Sequence, residues 1–276
     1  MSKIRILRTT DIPQLLALSG QAGWNQTAAD WERLLALAPD GCFGIEAGGR
    51  VVSTTTAIRY ANELAWIGMV LTDKDHRNQG NAKALLEHAI KHLRQHNVAW
   101  AKLDATSEGR PIYAKLGFVD ECQMERWKRP AGKGAKPTVS LRLSPYIVDP
   151  SFDRAYFSAY RIPLLNALLK DGSMFLPGFG YAMARPGALA SYFGPSVVRT
   201  RDAARMLIEW FLATHHDTDS FWDLFPDNKD AVQLAIDYGF EPARQLTRMT
   251  MRLSAGATEI RQNNASVFAI AGFEYG

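Results

Sequence analysis

The stretch Thr72–Leu93, "TDKDHRNQGNAKALLEHAIKHL", passes from charged residues through "RNQGNA" into a long amphipathic run. From Gln79 to His96 the apolar positions Ala82, Leu85, Leu86, Ala89, Ile90 and Leu93 keep helical spacing, which predicts one helix behind the loop. An apolar run, "LAWIGMVL", stands before it and reads as a strand. Strand, turn, "RNQGNA" and helix place consecutive backbone amides at a helix N-terminus, without intrahelical acceptors and at the positive end of the helix dipole. A phosphate group meets both conditions. Gly80 leaves the approach free of a Cβ, and Ala82 keeps the next turn slim. The loop has no GK[ST] and no GxGxxG, so it is neither a Walker A nor a dinucleotide fingerprint.

The neighbouring segments fill in an α/β pattern. "KIRILR" alternates as a strand, and "DIPQLLALSGQA" predicts a helix with Asp11 as cap and Pro13 in the first turn. "CFGIEAGGRVVSTTTAIRY" reads as a hairpin turning at Gly48-Gly49. "VAWAKLDAT" is a further strand, "RPIYAKLG" a short helix closed by Gly117, and "FVDECQMERWKR" a last strand. Strands mixed with helices indicate an α/β sheet.

The pattern occurs twice. A shift of 122 residues, without a gap, lays "RNQGNAKALLEHAI" from Arg77 over "RTRDAARMLIEWFL" from Arg199. It also brings Gly117-Phe118 onto Gly239-Phe240, Gln123 onto Gln245 and Arg126 onto Arg248. Two copies of one fold are expected, with residues 1–132 as the first domain and 138–276 as the second. The boundary falls in "RPAGKGAKP", Arg129 to Pro137, where Gly, Pro and Lys replace the apolar periodicity. In the same alignment Gly80 meets Asp202 and Tyr113 meets Ala235.

Composition narrows the classes. The chain has 276 residues, 47% hydrophobic and 22% charged, enough for two ordinary globular domains. A net charge of +4, spread along the chain, suits an anionic ligand and gives no case for nucleic acid. Two cysteines, Cys42 and Cys122, make neither a disulfide framework nor a metal-binding pair. No apolar run approaches a membrane span and the first residues lack a signal-peptide core, so no membrane partner and a reduced, cytoplasmic setting are expected. His88, His92 and His96 lie four apart on one helix flank and read as a solvated face, with no metal expected. "HHDTD", from His215, reads as a polar loop, the aromatics of "DSFWDLFPDN" as packing, and the C-terminal "ASVFAIAGFEYG" as a strand tucked into a sheet.

The loop together with "YAKLGF" resembles the GNAT superfamily of acyl-CoA N-acyltransferases. The family's pyrophosphate pattern Q/R-x-x-G-x-G/A is met by Arg77, Gly80 and Ala82, and its Tyr four residues before Gly-Phe by Tyr113. The segments "GMVLTDKDHRNQG" and "LDATSEGRPIYAKLGF" are most similar to bacterial acetyltransferases carrying a divergent C-terminal GNAT-like domain. The resemblance implies two tandem GNAT-like domains, each a mixed, mostly antiparallel twisted sheet flanked by helices. It implies acetyl-CoA as co-substrate, held by Leu71, Thr72, Arg77, Asn78, Gln79, Gly80, Asn81 and Ala82 beside a splayed strand. A neutral primary amine, of a small molecule, attacks the thioester directly, and Tyr113 protonates the departing thiolate. Asp104 and Glu63 are candidate bases, with a water chain as the alternative. An Asn that many relatives carry near Ala105 and Thr106 is absent here, and Thr106 or Ser107 stands in its place. The second copy, with a carboxylate in the loop and no phenol, keeps the fold and is expected to bind no acetyl-CoA. Alternatives are a protein or peptide N-acetyltransferase and a non-catalytic acyl-CoA sensor. A monomer or homodimer fits equally.

Overall fold

A computed structural model describes residues 3–134, 137, 149–260 and 264–276. Part of the expected linker, residues 135–136, and the start of the expected second domain, residues 138–148, lie outside the described residues.

The first half runs β1 (Lys3–Ile6), α1 (Ile12–Gln21), α2 (Ala28–Leu37), β2 (Cys42–Ala47), β3 (Arg50–Tyr60), β4 (Leu64–Thr72), α3 (Asn81–Gln95), β5 (Trp100–Ala105), α4 (Arg110–Lys115) and β6 (Val119–Arg129). The second runs α5 (Pro150–Phe157), α6 (Ile162–Leu168), β7 (Ser173–Leu176), β8 (Gly180–Arg185), β9 (Ser191–Val198), α7 (Arg201–His215), β10 (Ser220–Leu224), α8 (Lys229–Asp237), β11 (Glu241–Arg252) and β12 (Val267–Ala269).

Local chemistry explains most boundaries. Gly48 and Gly49 both have positive φ, 58° and 75°, as the tight turn between β2 and β3 requires. Pro13 sits in the first turn of α1 and Asp11 occupies its N-cap position, but the Asp11 side chain makes no capping bond. Its carboxylate accepts from the Arg8 amide at 2.8 Å and pairs with the Arg5 guanidinium, closing the preceding 3-10 turn instead. Helix α2 begins with a reciprocal box, in which the Thr27 hydroxyl accepts from the Asp30 amide and Asp30 accepts from the Thr27 amide.

The register of the repeat holds at atomic level around its Gly-Phe pair. Phe118 N–H donates to the Tyr113 carbonyl as Phe240 N–H does to Ala235, and Gly117 donates to Ala114 as Gly239 does to Ile236. It does not hold through the loop. Eight residues, Asp73 to Gly80, separate β4 from α3, whereas only Arg199 and Thr200 separate β9 from α7. The ungapped match of the two loops is therefore corrected: the second copy lacks the loop, and Asp202 lies in the first turn of α7.

The chain divides into two compact units that do not follow a single cut. The first comprises the chain to Glu121 with Arg248–Glu259 and Glu274–Gly276; the second comprises Cys122–Thr247 and Ile260–Phe273. In the first, the strand order is β1-β2-β3-β4-β5, completed by the end of β11 from Arg248. Its α3 core joins Leu85, Leu86, Ala89, Ile90 and Leu93 to Phe43, Ile45, Ala65, Ile67 and Leu103, with Met249 and Met251 from β11. In the second, β6 lies antiparallel to β10, Ser220 opposite Arg129, and the order continues through β9 and β8 to β7, with β12 on β9. Trp222, Phe193, Phe211 and Phe240 fill its core; of the other aromatics in "DSFWDLF", Phe225 is buried and Phe221 is half-buried beneath the Arg126 guanidinium. The C-terminal stretch forms β12 and then continues without strand pairing: Ala271, Glu274 and Tyr275 are buried.

Candidate active site

The parallel ladder between β4 and β5 is confined to Leu64–Trp66 against Trp100–Lys102. From Ile67 to Thr72 and from Leu103 to Ala105 the two strands run on without pairing to each other, so β4 offers an open backbone edge on that side. A bulge coincides with this opening. The β3–β4 register shifts between Thr54, opposite Leu71, and Thr56, opposite Gly68, and Met69 takes a φ of 49°. A bulge strands carbonyls, and hydroxyls of β3 collect them. Thr54 Oγ1 donates to the Met69 carbonyl at 2.7 Å and Ser53 Oγ to that of Leu71 at 2.8 Å. This buried "STTT" row was not singled out in the sequence, although a hydroxyl run in the middle of a buried strand is its signal.

The loop follows at the end of that edge. Arg77, Asn78, Gln79 and Gly80 are exposed, and Asn81 and Ala82 half-buried. Arg77 Nε donates to the Thr72 carbonyl at 3.3 Å, Gln79 Nε2 to Asp75 O at 3.3 Å and Asn81 Nδ2 to His76 O at 3.1 Å. Gly80 is the N-cap, at φ 79°, with open space where a Cβ would stand. The bond from Ala84 N–H to Gly80 O opens the ladder of α3, and no side chain caps the helix. The amides before Ala84 are left as donors. Helix α7 shows the opposite arrangement: the Thr200 hydroxyl accepts from the Ala203 amide, and Asp202 adds a carboxylate to the first turn. One helix end carries no side-chain cap, and the other supplies both a hydroxyl and a carboxylate.

Tyr113 lies in α4, 9% exposed, within the α3 core and edge-on to Phe118. Burial raises its pKa above the ordinary phenol value, so the ring oxygen stays protonated. Asp104 is placed differently from an available base. Its two carboxylate oxygens accept from Arg248, Nε at 2.9 Å and Nη2 at 3.0 Å, and both side chains are buried. The Arg248 guanidinium also lies over the Trp66 ring at 4.5 Å. Glu63 precedes β4 at the end where the ladder is closed, its carbonyl accepting from Trp100 N–H. Thr106 Oγ1 accepts from the Gly109 amide at 3.1 Å and so helps start α4, while Ser107 is exposed. The Cys42 thiol is pushed up to about 12 by burial, which removes it as a nucleophile.

Two further groups of the first unit bring together residues distant in sequence. Residues 274–276 cover β4: a Cβ on Gly68 would fall 3.0 Å from Glu274 Cα, and Tyr60 Oη donates to the Tyr275 carbonyl at 2.6 Å. The histidine flank of α3 meets Asp40, with His96 Nε2 at 3.5 Å and His92 Nε2 at 3.9 Å from its Oδ2. Nothing local in the sequence links the histidines to that carboxylate, fifty-two positions before His92.

Comparison with known proteins agrees with this geometry. Residues 11–118 match the model of the acetyltransferase (GNAT) family, and residues 151–269 that of an acetyltransferase (GNAT) domain. The Uncharacterized N-acetyltransferase YitH of Bacillus subtilis (strain 168) is 26% identical over 219 residues, covering 73% of this chain and 75% of that protein. A crystal structure of a Pyrococcus horikoshii protein superposes over 100% of this chain and 96% of its own, at 21% identity and a TM-score of 0.85. A tandem GNAT protein from the clavulanic acid biosynthesis pathway, 15% identical, covers 93% of this chain and 100% of its own at a TM-score of 0.65. Among the described residues no helix is long and apolar enough to cross a membrane.

Proposed function

The chain belongs to the GNAT acetyltransferases, in tandem form, and on that premise we propose that its first unit moves the acetyl group of acetyl-CoA to a primary amine of a small molecule. The observation that carries this reading is the adjacency of an open β4 edge and an uncapped α3. The amides before Ala84 and the positive end of α3 take the diphosphate, with Gly80 leaving room and Arg77 adding charge. Pantetheine runs along β4 between Ile67 and Thr72, where the backbone near Leu71 polarises the thioester carbonyl. The amine, neutral at attack, adds to that carbonyl carbon. Collapse of the tetrahedral adduct breaks the C–S bond, and Tyr113 delivers its proton to the departing sulfur. The proton released by the new amide's nitrogen passes to water, since Asp104 is committed to Arg248. We take the acceptor to be small because residues 274–276 pack against Trp66 and Gly68 of β4. The second unit, with no loop and a self-capped α7, takes no acetyl-CoA.

The test is mass spectrometry of the intact protein with acetyl-CoA and a mixed amine library, alongside Tyr113→Phe. One acetylated amine, lost in the variant, is the expected result. Tight acetyl-CoA binding without turnover on any amine or peptide would overturn the transferase reading in favour of a sensor.

A further inference from the structure

Away from the proposed cofactor edge, a cleft of about 410 Å³ lies against the C-terminal half of α3, with Asp40, His92 and His96 in its wall beside Phe43 and Arg5. His92 is 12 residues beyond Gly80, roughly 18 Å along the helix axis at 1.5 Å per residue. Ligand atoms of Asp40, His92 and His96 all lie within 4.8 Å of one another. We propose that this cleft is a metal site: His92 Nε2, His96 Nε2 and Asp40 Oδ2 bind one borderline divalent cation of the zinc class, with the fourth position open to the cleft.

Three observations carry it. First, the tautomer of His96 is fixed. Its Nδ1 faces the His92 carbonyl at 2.9 Å, and a carbonyl only accepts, so Nδ1 bears a proton and Nε2 is the nitrogen turned toward the carboxylate. Nε2 lies 3.5 Å from Asp40 Oδ2, close to the separation of two ligand atoms on one ion. A backbone carbonyl on the far nitrogen is also the usual orienting partner of a metal-bound imidazole. Second, His92 Nε2 is buried and has no hydrogen-bond partner, although it lies 3.9 Å from the same carboxylate. Third, Asp40 is held in place: Arg59 Nη2 donates to Oδ1 at 3.2 Å and to Oδ2 at 2.9 Å, leaving Oδ2 a further lone pair for the cleft. This orients the carboxylate, while the guanidinium charge lowers its attraction for a dication.

The distances are compatible with closure. Bonds of about 2.0–2.1 Å in a tetrahedron set ligand atoms roughly 3.3 Å apart, so side-chain rotation of about an ångström suffices. Two imidazoles exclude magnesium and calcium as the preferred ions, since those favour all-oxygen shells. The i, i+4 spacing on one helix supplies two ligands, and the segment after α2 supplies the third, so the ion ties α3 to that segment.

The experiment is titration calorimetry of the chelator-stripped, tag-free full chain with zinc, nickel and magnesium. Zinc is expected to bind one to one at micromolar concentration or below and to raise Tm, and magnesium to give no signal. His92→Gln and His96→Gln are each expected to weaken zinc at least tenfold and to abolish the Tm rise, with an unchanged circular dichroism spectrum. His76→Gln, on the exposed loop, is the control and keeps wild-type affinity. Zinc affinity weaker than about 100 μM, or tight binding retained in the His92→Gln/His96→Gln double variant, overturns the proposal. These readouts need no acetyl transfer, so they stand apart from the reading of the active site.

Discussion

Gly80 offers a sharp test of how α3 holds its ligand, because stability and binding are expected to respond in different ways. At φ 79° the residue sits in the left-handed region, where an L side chain costs about 1–2 kcal/mol and Asn or Asp somewhat less. Nothing stands within 4 Å of the Cβ, so there is no steric charge to add. A capping oxygen at this position contributes about 1 kcal/mol to the helix, which roughly offsets the backbone strain. Gly80→Asn and Gly80→Asp are therefore expected to unfold in urea within about 1 kcal/mol of the wild type. Binding separates them. A carboxylate about 5 Å from each of two diphosphate charges, at this exposed N-terminus, costs about 1 kcal/mol per charge at near-aqueous dielectric. The sum, about 2 kcal/mol, is roughly thirtyfold in Kd. Calorimetry with CoA at low salt should show Gly80→Asn weakened a few-fold and Gly80→Asp a further thirtyfold. At about 1 M salt, where screening acts over roughly 3 Å, the excess for Asp should shrink to a few-fold. Equal affinity of the two variants, or wild-type affinity in Gly80→Asp, would refute the assignment of the diphosphate to this helix end.

Other expectations follow from the same structure. Tyr113→Phe should lower kcat about a hundredfold or more with KM for acetyl-CoA changed only a few-fold, and an equal kcat would remove Tyr113 as the acid. Because burial raises the Tyr113 pKa, wild-type kcat should not fall on the alkaline side through the ordinary phenol range near pH 10; a fall there that Tyr113→Phe abolishes would contradict it. Arg248→Gln should destabilise the chain by about 3–5 kcal/mol in urea, since it leaves Asp104 buried without its cation, and Asp104→Asn should be non-additive with it. Burial lowers the pKa of His215 below 6.5, so the unfolded chain binds more protons and stability declines as pH falls through about 6.5. His215→Gln should flatten that decline in Tm between pH 7 and 5; an unchanged slope would exclude His215 as a contributor.

What the sequence disclosed, and what it did not, divides along contact distance. Most elements of the first half are legible because periodicity, the Gly48-Gly49 turn and the Gly117 stop are local signals, and the proposed diphosphate loop stands out because its amides come from consecutive residues. Helix α2 was overlooked, although Thr27 and Asp30 carry the reciprocal cap that announces it. Asp11 stands at the cap position that the sequence indicates, but its carboxylate turns to Arg5 and the Arg8 amide, partners that helix spacing alone does not show. The short connection between β9 and α7 was hidden by an ungapped match that scores the helix well and says nothing of the residues before it. Asp104 looked available because its partner, Arg248, is 144 positions away. Asp40 is another such case, a lone acid in sequence that the fold turns toward two histidines.

The repeat explains why no single cut yields the two compact units. Arg126 and Arg248 are matched by the shift of 122, and both form the same bond in the unit to which the chain carries them. Arg248, from the second half, grips Asp104 of the first through Nε and Nη2; Arg126, from the first half, grips Asp223 of the second through Nε and Nη2 at 2.7 Å each. Each guanidinium also stacks on aromatic rings, Trp66 in one case and Phe221 and Phe273 in the other. Both carboxylates are fully buried, and a buried charge without its partner is far more costly than the pair itself. Each sheet thus needs a strand, an arginine and, in the first unit, Met249 and Met251 from the opposite half of the sequence. A second half with no loop before its long helix is for that reason still indispensable to the first. It supplies the strand beside β5, and so one wall of the sheet whose opening at β4 is the proposed site.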